Sequence, residues 1–394
     1  MTTLALNMIV APGESGLLKR CLDSFHARDV FDEIVIVNTS NDSNINVMAQ
    51  QYDARVFNFA WETEQYPYGD FGGARNLAVD KSTADNIMWL DTDDALLPRD
   101  WPGFEKALAL VKSPERADIE QWSVSYALVC DETGKPQMAF WRERIFKREL
   151  CRWKRPVHET LTPEWELVKN AKINGIFITH LPMKPSYTSA TRNVKILEHE
   201  YKNNTDDVQV KYFLGRDLMF IGRINEGVKI LSEIVDNLET GTEMMYSISM
   251  ELVWYFAYGR MKPRPMVEEL NVKNIGKVEG WCRQALSFTS SYAEPYLVLG
   301  DVYWHGGFLD SAMKMYMLAS KKKVGQGKFQ LFPFYNELPA DRLSKVFEMK
   351  GNYDLACHFN HVAMNYNNIG DHRERRKYII EKLAEEYNNV ISKN

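Results

Sequence analysis

The run Asn86-Ile87-Met88-Trp89-Leu90, closed by Asp91-Thr92-Asp93-Asp94, constrains this chain more than any other segment. A strand of Ile, Met, Trp and Leu wants cover on both faces, as in a parallel sheet. Three carboxylates within four residues then fall at its C-terminal end, where open α/β sheets place their ligands. Crowded acids repel one another unless a cation or donors sit between them. A hard divalent ion such as Mg²⁺ or Mn²⁺, shared with substrate phosphates, would meet that need. The competing reading is a turn or helix N-cap in which Asp accepts backbone N–H bonds and Ala95-Leu96-Leu97-Pro98 starts a loop.

The rest of the first 110 residues supplies the context. Leu4 to Val10, Glu33 to Val37 and Ala54 to Phe59 read as strands, separated by a helix around Leu17 to Phe25 and by Asn38-Thr39-Ser40-Asn41-Asp42-Ser43, a turn able to cap another helix. Gly72-Gly73-Ala74-Arg75-Asn76-Leu77-Ala78 opens the helix that leads to the acid-tipped strand. This alternation predicts βαβ units with a mainly parallel sheet. Ile119 to Cys130 and Lys172 to Thr179 read as further strands, the second ending at His180 before the breakers Pro182 and Pro185. From about Ser189 the pattern turns helical to the end, so the chain divides into 1–188, an α/β domain, and 189–394, an all-α domain, in line with a length of 394 residues.

The helical part carries a weak repeat. Leu214-Gly215 with Leu218, Gly227, Leu231 and Ile234 has the spacing of Leu299-Gly300 with Tyr303, Ala312, Tyr316 and Ala319, and Gly351 to Ala356 with Asn360 and Ala363 looks like another second helix. Tetratricopeptide-like stacking or ordinary helical hairpins both satisfy that spacing. Stacked repeats would offer a concave surface to an extended partner.

Bulk properties choose no partner. A net charge of −5 gives no global attraction to nucleic acid or anionic membrane, and the five cysteines form no Cys-x-x-Cys pair. The N-terminus lacks a basic n-region and no window is long and apolar enough to span a bilayer, so the expectation is a cytoplasmic protein without membrane insertion.

Four separated segments resemble a family 2 glycosyltransferase with a GT-A fold: Asn7 to Val10, Glu33 to Val37, Gly73 to Ala78 and Trp89 to Asp94. Beyond them, Arg144-Ile145-Phe146, Val157-His158-Glu159, His180 and the helices are similar to the bacterial and phage branch that includes glycocin-type peptide S-glycosyltransferases. The resemblance implies transfer from a nucleotide-diphosphate sugar, UDP by default. It places Asp91 at the ribose or sugar, Asp93 on Mn²⁺ or Mg²⁺ that stabilises the leaving diphosphate, and Asp94 in support. Val10, Asn38, Asp70, Arg75 and Thr92 would line the donor, with Arg142 or Arg144 on its phosphates. Glu159 would be the general base of an inverting transfer, and His180 would complete the metal's shell, with His158 as a second candidate. The chain departs from the family at Asn38, where an acid usually reads the base, and at Ala11-Pro12-Gly13, which replaces Lys-Asn-Glu.

The acceptor stays open between a peptide or protein held by the helices and a hydroxymethylated base in phage DNA. The second option is suggested by seven basic residues among aromatics from Trp141 to Arg155, read either as a nucleic-acid grip or as a solvated strand edge beside the phosphate-binding arginines. A non-catalytic scaffold with a degenerate transferase domain is the alternative function.

Overall fold

The computed structural model describes residues 2–182, 187–237, 243–259, 270–324, 330–367 and 370–391; Pro185 lies outside them. The α/β part contains β1 (Leu4–Val10), α1 (Ser15–Ser24), α2 (Ala27–Val30), β2 (Glu33–Asn38), α3 (Ser43–Gln50), β3 (Arg55–Asn58), α4 (Phe71–Lys81), β4 (Asn86–Leu90), β5 (Asp94–Leu96), α5 (Trp101–Val111), β6 (Gln121–Cys130), β7 (Pro136–Lys147), β8 (Arg152–Lys154), β9 (Thr160–Thr162) and β10 (Asn170–His180). Two compact units divide after Gly222. Helices α6 (Tyr187–Asn203) and α7 (Val208–Phe220) stand in the first of them.

The main sheet runs β3-β2-β1-β4-β7-β6-β10-β5. Its first four strands are parallel, β7 is antiparallel to both β4 and β6, and β10 is parallel to β6. The acid-tipped run is β4, buried at every residue, and its period-two alternation loads both faces. Met88 and Leu90 join the core that holds Phe25, Phe104, Leu18 and Leu22, whereas Ile87 and Trp89 join Phe146, Trp153 and Leu161. Each such side chain contributes roughly 1.5–3 kcal/mol through burial, so the strand has no tolerance for a register slip that would exchange its faces.

Two sequence expectations change here. Ala95 and Leu96 belong not to a loop but to buried β5, which pairs antiparallel with β10. The basic and aromatic stretch is not a solvated edge. Its first half is β7, interior to the sheet between β4 and β6, and Arg144 and Phe146 are fully buried there.

Helix α4 begins where Asp70 accepts the Gly73 N–H at 2.8 Å, an N-cap worth about 1 kcal/mol. Gly72 is required at its first turn because a Cβ there would lie 2.3 Å from the Arg155 carbonyl oxygen.

The second unit is helical: α8 (Ile224–Asn237), α9 (Glu243–Tyr258), α10 (Ile275–Phe288), α11 (Glu294–His305), α12 (Leu309–Ser320), the short α13 (Phe332–Tyr335), α14 (Glu337–Met349), α15 (Tyr353–Tyr366) and α16 (Gly370–Ile391). The repeat pattern has a packing cause. Ala312, Tyr316 and Ala319 are completely buried on α12, and Gly300 of α11 leaves room for the Tyr316 ring, which a Cβ would meet at 2.3 Å. Ala356, Asn360 and Ala363 form the buried stripe of α15. No helix among the described residues is long and apolar enough to cross a membrane.

Candidate active site

The three carboxylates after β4 have three different partners. Asp91 Oδ1 accepts from Arg75 Nη2 at 2.6 Å, and the same guanidinium reaches Glu159 Oε1 through Nε at 3.1 Å. Asp94 Oδ2 pairs with Arg144 Nη1 at 2.9 Å, both side chains having no exposure, and also accepts the Asp91 backbone N–H at 2.9 Å. Asp93 is left facing His180, with Oδ1 at 3.4 Å from Nδ1.

These pairings set the charges. Burial pushes the Asp91 carboxyl up, but Arg75, Arg142 and Arg144 outweigh it and hold the group well below the usual carboxylate range. Burial raises Asp94, with Arg144 pulling the other way. Arg75 loses solvation, yet the charges of Asp91 and Glu159 keep its pKa above the ordinary value.

His180 arrives beside the acids because β10 pairs with β5 in a register that sets His180 against Asp94. The Leu181 N–H donates to the Asp93 carbonyl at 2.8 Å, and Arg20 of α1 donates to the Leu181 carbonyl at 2.5 Å. Tyr126 Oη lies 3.0 Å from His180 Nδ1. One ligand atom each from Asp93, Asp94 and His180 fall within 4.8 Å of one another, and Asp94 Oδ1 is buried with no hydrogen-bond partner. Two carboxylates and an imidazole, one oxygen of them otherwise unanswered, are a donor set that could hold a divalent ion.

The remaining residues singled out in the sequence take varied places. Arg142 is half-buried on β7, with its guanidinium carbon 4.5 Å from the Trp89 ring centroid. Its guanidinium makes no hydrogen bond or ion pair with another described residue, and burial together with the like charge of Arg144 lowers its pKa. Arg75 and Arg144 lie 4.3 and 4.2 Å from the same ring, so three cations surround Trp89. Thr92 donates to Glu14 Oε2 at 2.9 Å, and that oxygen also accepts the Ala11 N–H at 3.1 Å.

Asn38 is fully buried. Its amide donates to the Asp42 carbonyl at 3.2 Å and accepts from the Ser40 N–H and hydroxyl, both at 2.9 Å. That set of bonds leaves it organising its own turn. Val10, paired with Asn38 across β1 and β2, gives its carbonyl to Thr39. Asp70 spends one oxygen on the α4 cap. His158 is not at the acid cluster; it stacks on Phe213 of α7 at 4.3 Å.

Sequence reasoning missed Glu14, Arg20 and Tyr126. Glu14 had a signal, an acid three residues after Ala11 across a Pro-Gly turn, able to accept that N–H. Arg20 and Tyr126 had none, since a helix arginine and a strand tyrosine are common and their targets lie 161 and 54 residues away.

An acid cluster at a strand end, an α4 arginine on it and a β10 histidine beside it form the arrangement against which known proteins can be set. Residues 8–166 match the model of Glycosyl transferase family 2. That match runs from within β1 to just past β9 and takes in every acid of the cluster, whereas His180 follows it. A TPR repeat-containing protein of Synechococcus elongatus is 30% identical over 161 residues, which is 40% of this chain and 35% of that protein. The chain thus matches about a third of the length of this curated relative. Solved structures with partial likeness include glucosyl-3-phosphoglycerate synthase from Mycobacterium tuberculosis in complex with Mn²⁺ and UDP-glucose, at 13% identity and TM-score 0.33 over 51% of this chain and 78% of that one. A thermophilic TPR protein of Thermus thermophilus, at 17% identity and TM-score 0.32, covers 50% of this chain and 92% of its own. The molecule is a mixed α/β domain, matched by the family 2 model over residues 8–166, followed by an all-helical region.

Proposed function

We propose that the chain is a metal-dependent, inverting glycosyltransferase that moves a sugar from a nucleoside-diphosphate sugar, UDP by default, to a hydroxyl or thiol of a macromolecular acceptor. The observation that carries this reading is the division of labour in the tetrapeptide: Asp91 and Asp94 are answered by arginines, and Asp93 alone faces a histidine. Asp93 and His180, with the free oxygen of Asp94, would hold Mn²⁺ or Mg²⁺. When bound, the ion supplies positive charge to the departing diphosphate. Arg142, whose guanidinium makes no hydrogen bond or ion pair among the described residues, is the side chain for the phosphates, and Arg144 acts indirectly by fixing Asp94. Asp91, oriented by Arg75, receives the ribose or sugar hydroxyls. Thr92, Val10, Asn38 and Asp70 shape the donor pocket through Glu14, the β1 end and the α4 cap. Glu159, held by Arg75, is the base that takes the acceptor's proton.

For the acceptor we favour a peptide, as in glycocin-type enzymes. Arg144 is inside the sheet, which weakens the case for a nucleic-acid grip along this segment. The division at 188/189 then separates donor chemistry from the acceptor-holding helices, and the setting is the cytoplasm.

Calorimetry with UDP, GDP and TDP, with and without Mn²⁺, tests the reading. Binding of one nucleotide that needs the ion and is lost in Asp93→Ala is expected. No binding to any nucleotide would favour the non-catalytic scaffold. A steep fall of acceptor affinity with salt would return modified DNA to first place.

A further inference from the structure

The five residues from Arg155 to Glu159 connect β8 to β9 and contain two backbones in the left-handed region, Arg155 at φ 76° and His158 at φ 52°. Residues with a side chain seldom adopt that conformation unless their surroundings impose it. In both cases the partner is a carboxylate on α7 or on its N-cap. Arg155 Nη1 donates to Asp207 Oδ2 at 2.8 Å, and His158 Nε2 lies 2.8 Å from Asp217 Oδ2. Asp207 also caps α7, accepting the N–H groups of Gln209 and Val210. Phe213, between the two acids on the same helix, supplies the stacked face for the His158 ring.

The loop is equally committed on its other side. The Pro156 carbonyl accepts the Phe71 N–H at 2.9 Å at the start of α4, and Glu159 accepts from Arg75. A helix beyond the family 2 match is thereby tied to the loop that carries the base. Resting on the transferase reading, we propose that Asp207 and Asp217 are positioning residues: they hold the 155–159 loop in its left-handed geometry and so set Glu159 against the acceptor. Transfer then depends on α7, and this helix, which belongs to the same compact unit as the sheet, is a working part of the transferase.

Full-length Asp207→Ala/Asp217→Ala is the test, with Asp217→Asn as the conservative partner, since an amide oxygen still accepts from the neutral imidazole. Amide hydrogen exchange should quicken at least about tenfold in 155–159 while β1 and β4 keep wild-type protection. In turnover, kcat should fall at least about tenfold with donor KM within about threefold, and Asp217→Asn should recover most of the loss. Wild-type exchange in the loop, or acceleration spread equally through β1 and β4, would overturn the proposal. So would a quickened loop with unchanged kcat, or an Asp217→Asn no better than the double alanine variant. A wild-type protein that turns over no nucleotide sugar refutes the transferase reading instead, and the exchange arm still reports whether α7 holds the loop.

Discussion

Replacing Arg144 by Met separates two roles for that residue, because a diphosphate ligand and a buried counter-ion fail differently. Arg144 and Asp94 lie 2.9 Å apart with neither side chain exposed. After the substitution Asp94 keeps one donor, the Asp91 N–H, and one oxygen that already lacks a partner. Removing one member of a buried pair costs about 3–5 kcal/mol. The guanidinium carbon also lies 4.2 and 4.5 Å from the Trp89 and Tyr126 ring centroids, a desolvated cation–π contribution of about 1–2 kcal/mol. A loss of roughly 4–7 kcal/mol is comparable to the whole stability of many domains, so the single variant should be largely unfolded at 37 °C. Arg144→Met with Asp94→Asn removes both charges, and its loss should stay under about 2 kcal/mol. The assay is a double-mutant cycle by urea unfolding at pH 7 in EDTA, so that ion binding does not contribute. A coupling energy of about 3 kcal/mol or more is expected. If Arg144→Met costs less than about 1 kcal/mol and the coupling is near zero, the pair is not a desolvated counter-ion pair and the reasoning fails.

Arg142→Ala should cost no more than about 1–2 kcal/mol of stability through its contact with Trp89 and raise donor KM roughly tenfold to hundredfold, the worth of one or two charge-assisted hydrogen bonds; a melting change without a KM change would count against a phosphate role. Asp93→Ala should abolish Mn²⁺ binding and lower donor turnover roughly 100-fold or more with the fold intact by circular dichroism, and retained Mn²⁺-dependent turnover would remove Asp93 from the ion. In the helical unit, burial pushes Glu294 up to about 7 even though Tyr335 and Tyr246 donate to it. A raised carboxyl favours the folded state below the unfolded pKa of about 4.5 and loses that contribution as pH rises through 7, so stability should fall by roughly 3 kcal/mol across that window. Glu294→Gln should flatten the slope in a pH series of urea melts.

Elements fixed by local pattern were legible in the sequence. β1 and β4 follow from apolar runs, and α4 from the stretch Gly72 to Ala78, although its cap at Asp70 did not. The placement of three acids at a strand end, and of Arg75 on the helix before it, also followed from local order. Partnership was not legible. Asp91 and Asp94 look alike in the chain, and what distinguishes them comes from Arg75 and Arg144, the latter 50 residues further on in a strand inserted beside β4. Asn38 has the polarity of a ligand-reading residue, yet the turn it begins consumes its amide. The Trp141 to Arg155 segment shows the limit of composition most plainly: alternating cations and rings suit a binding edge, but they suit an interior strand equally well when a buried acid and a tryptophan stand opposite.

The pairing of Asp91 with Arg75 and of Asp94 with Arg144 bears on what the proposed metal centre needs in order to fold. Two of three crowded negative charges are neutralised by resident side chains, so an empty centre carries the equivalent of one unanswered acid, softened by His180. Under the proposed function, metal loading would be decoupled from folding, and the sheet should keep its urea midpoint in EDTA, in contrast to small metal-nucleated domains that collapse under chelators.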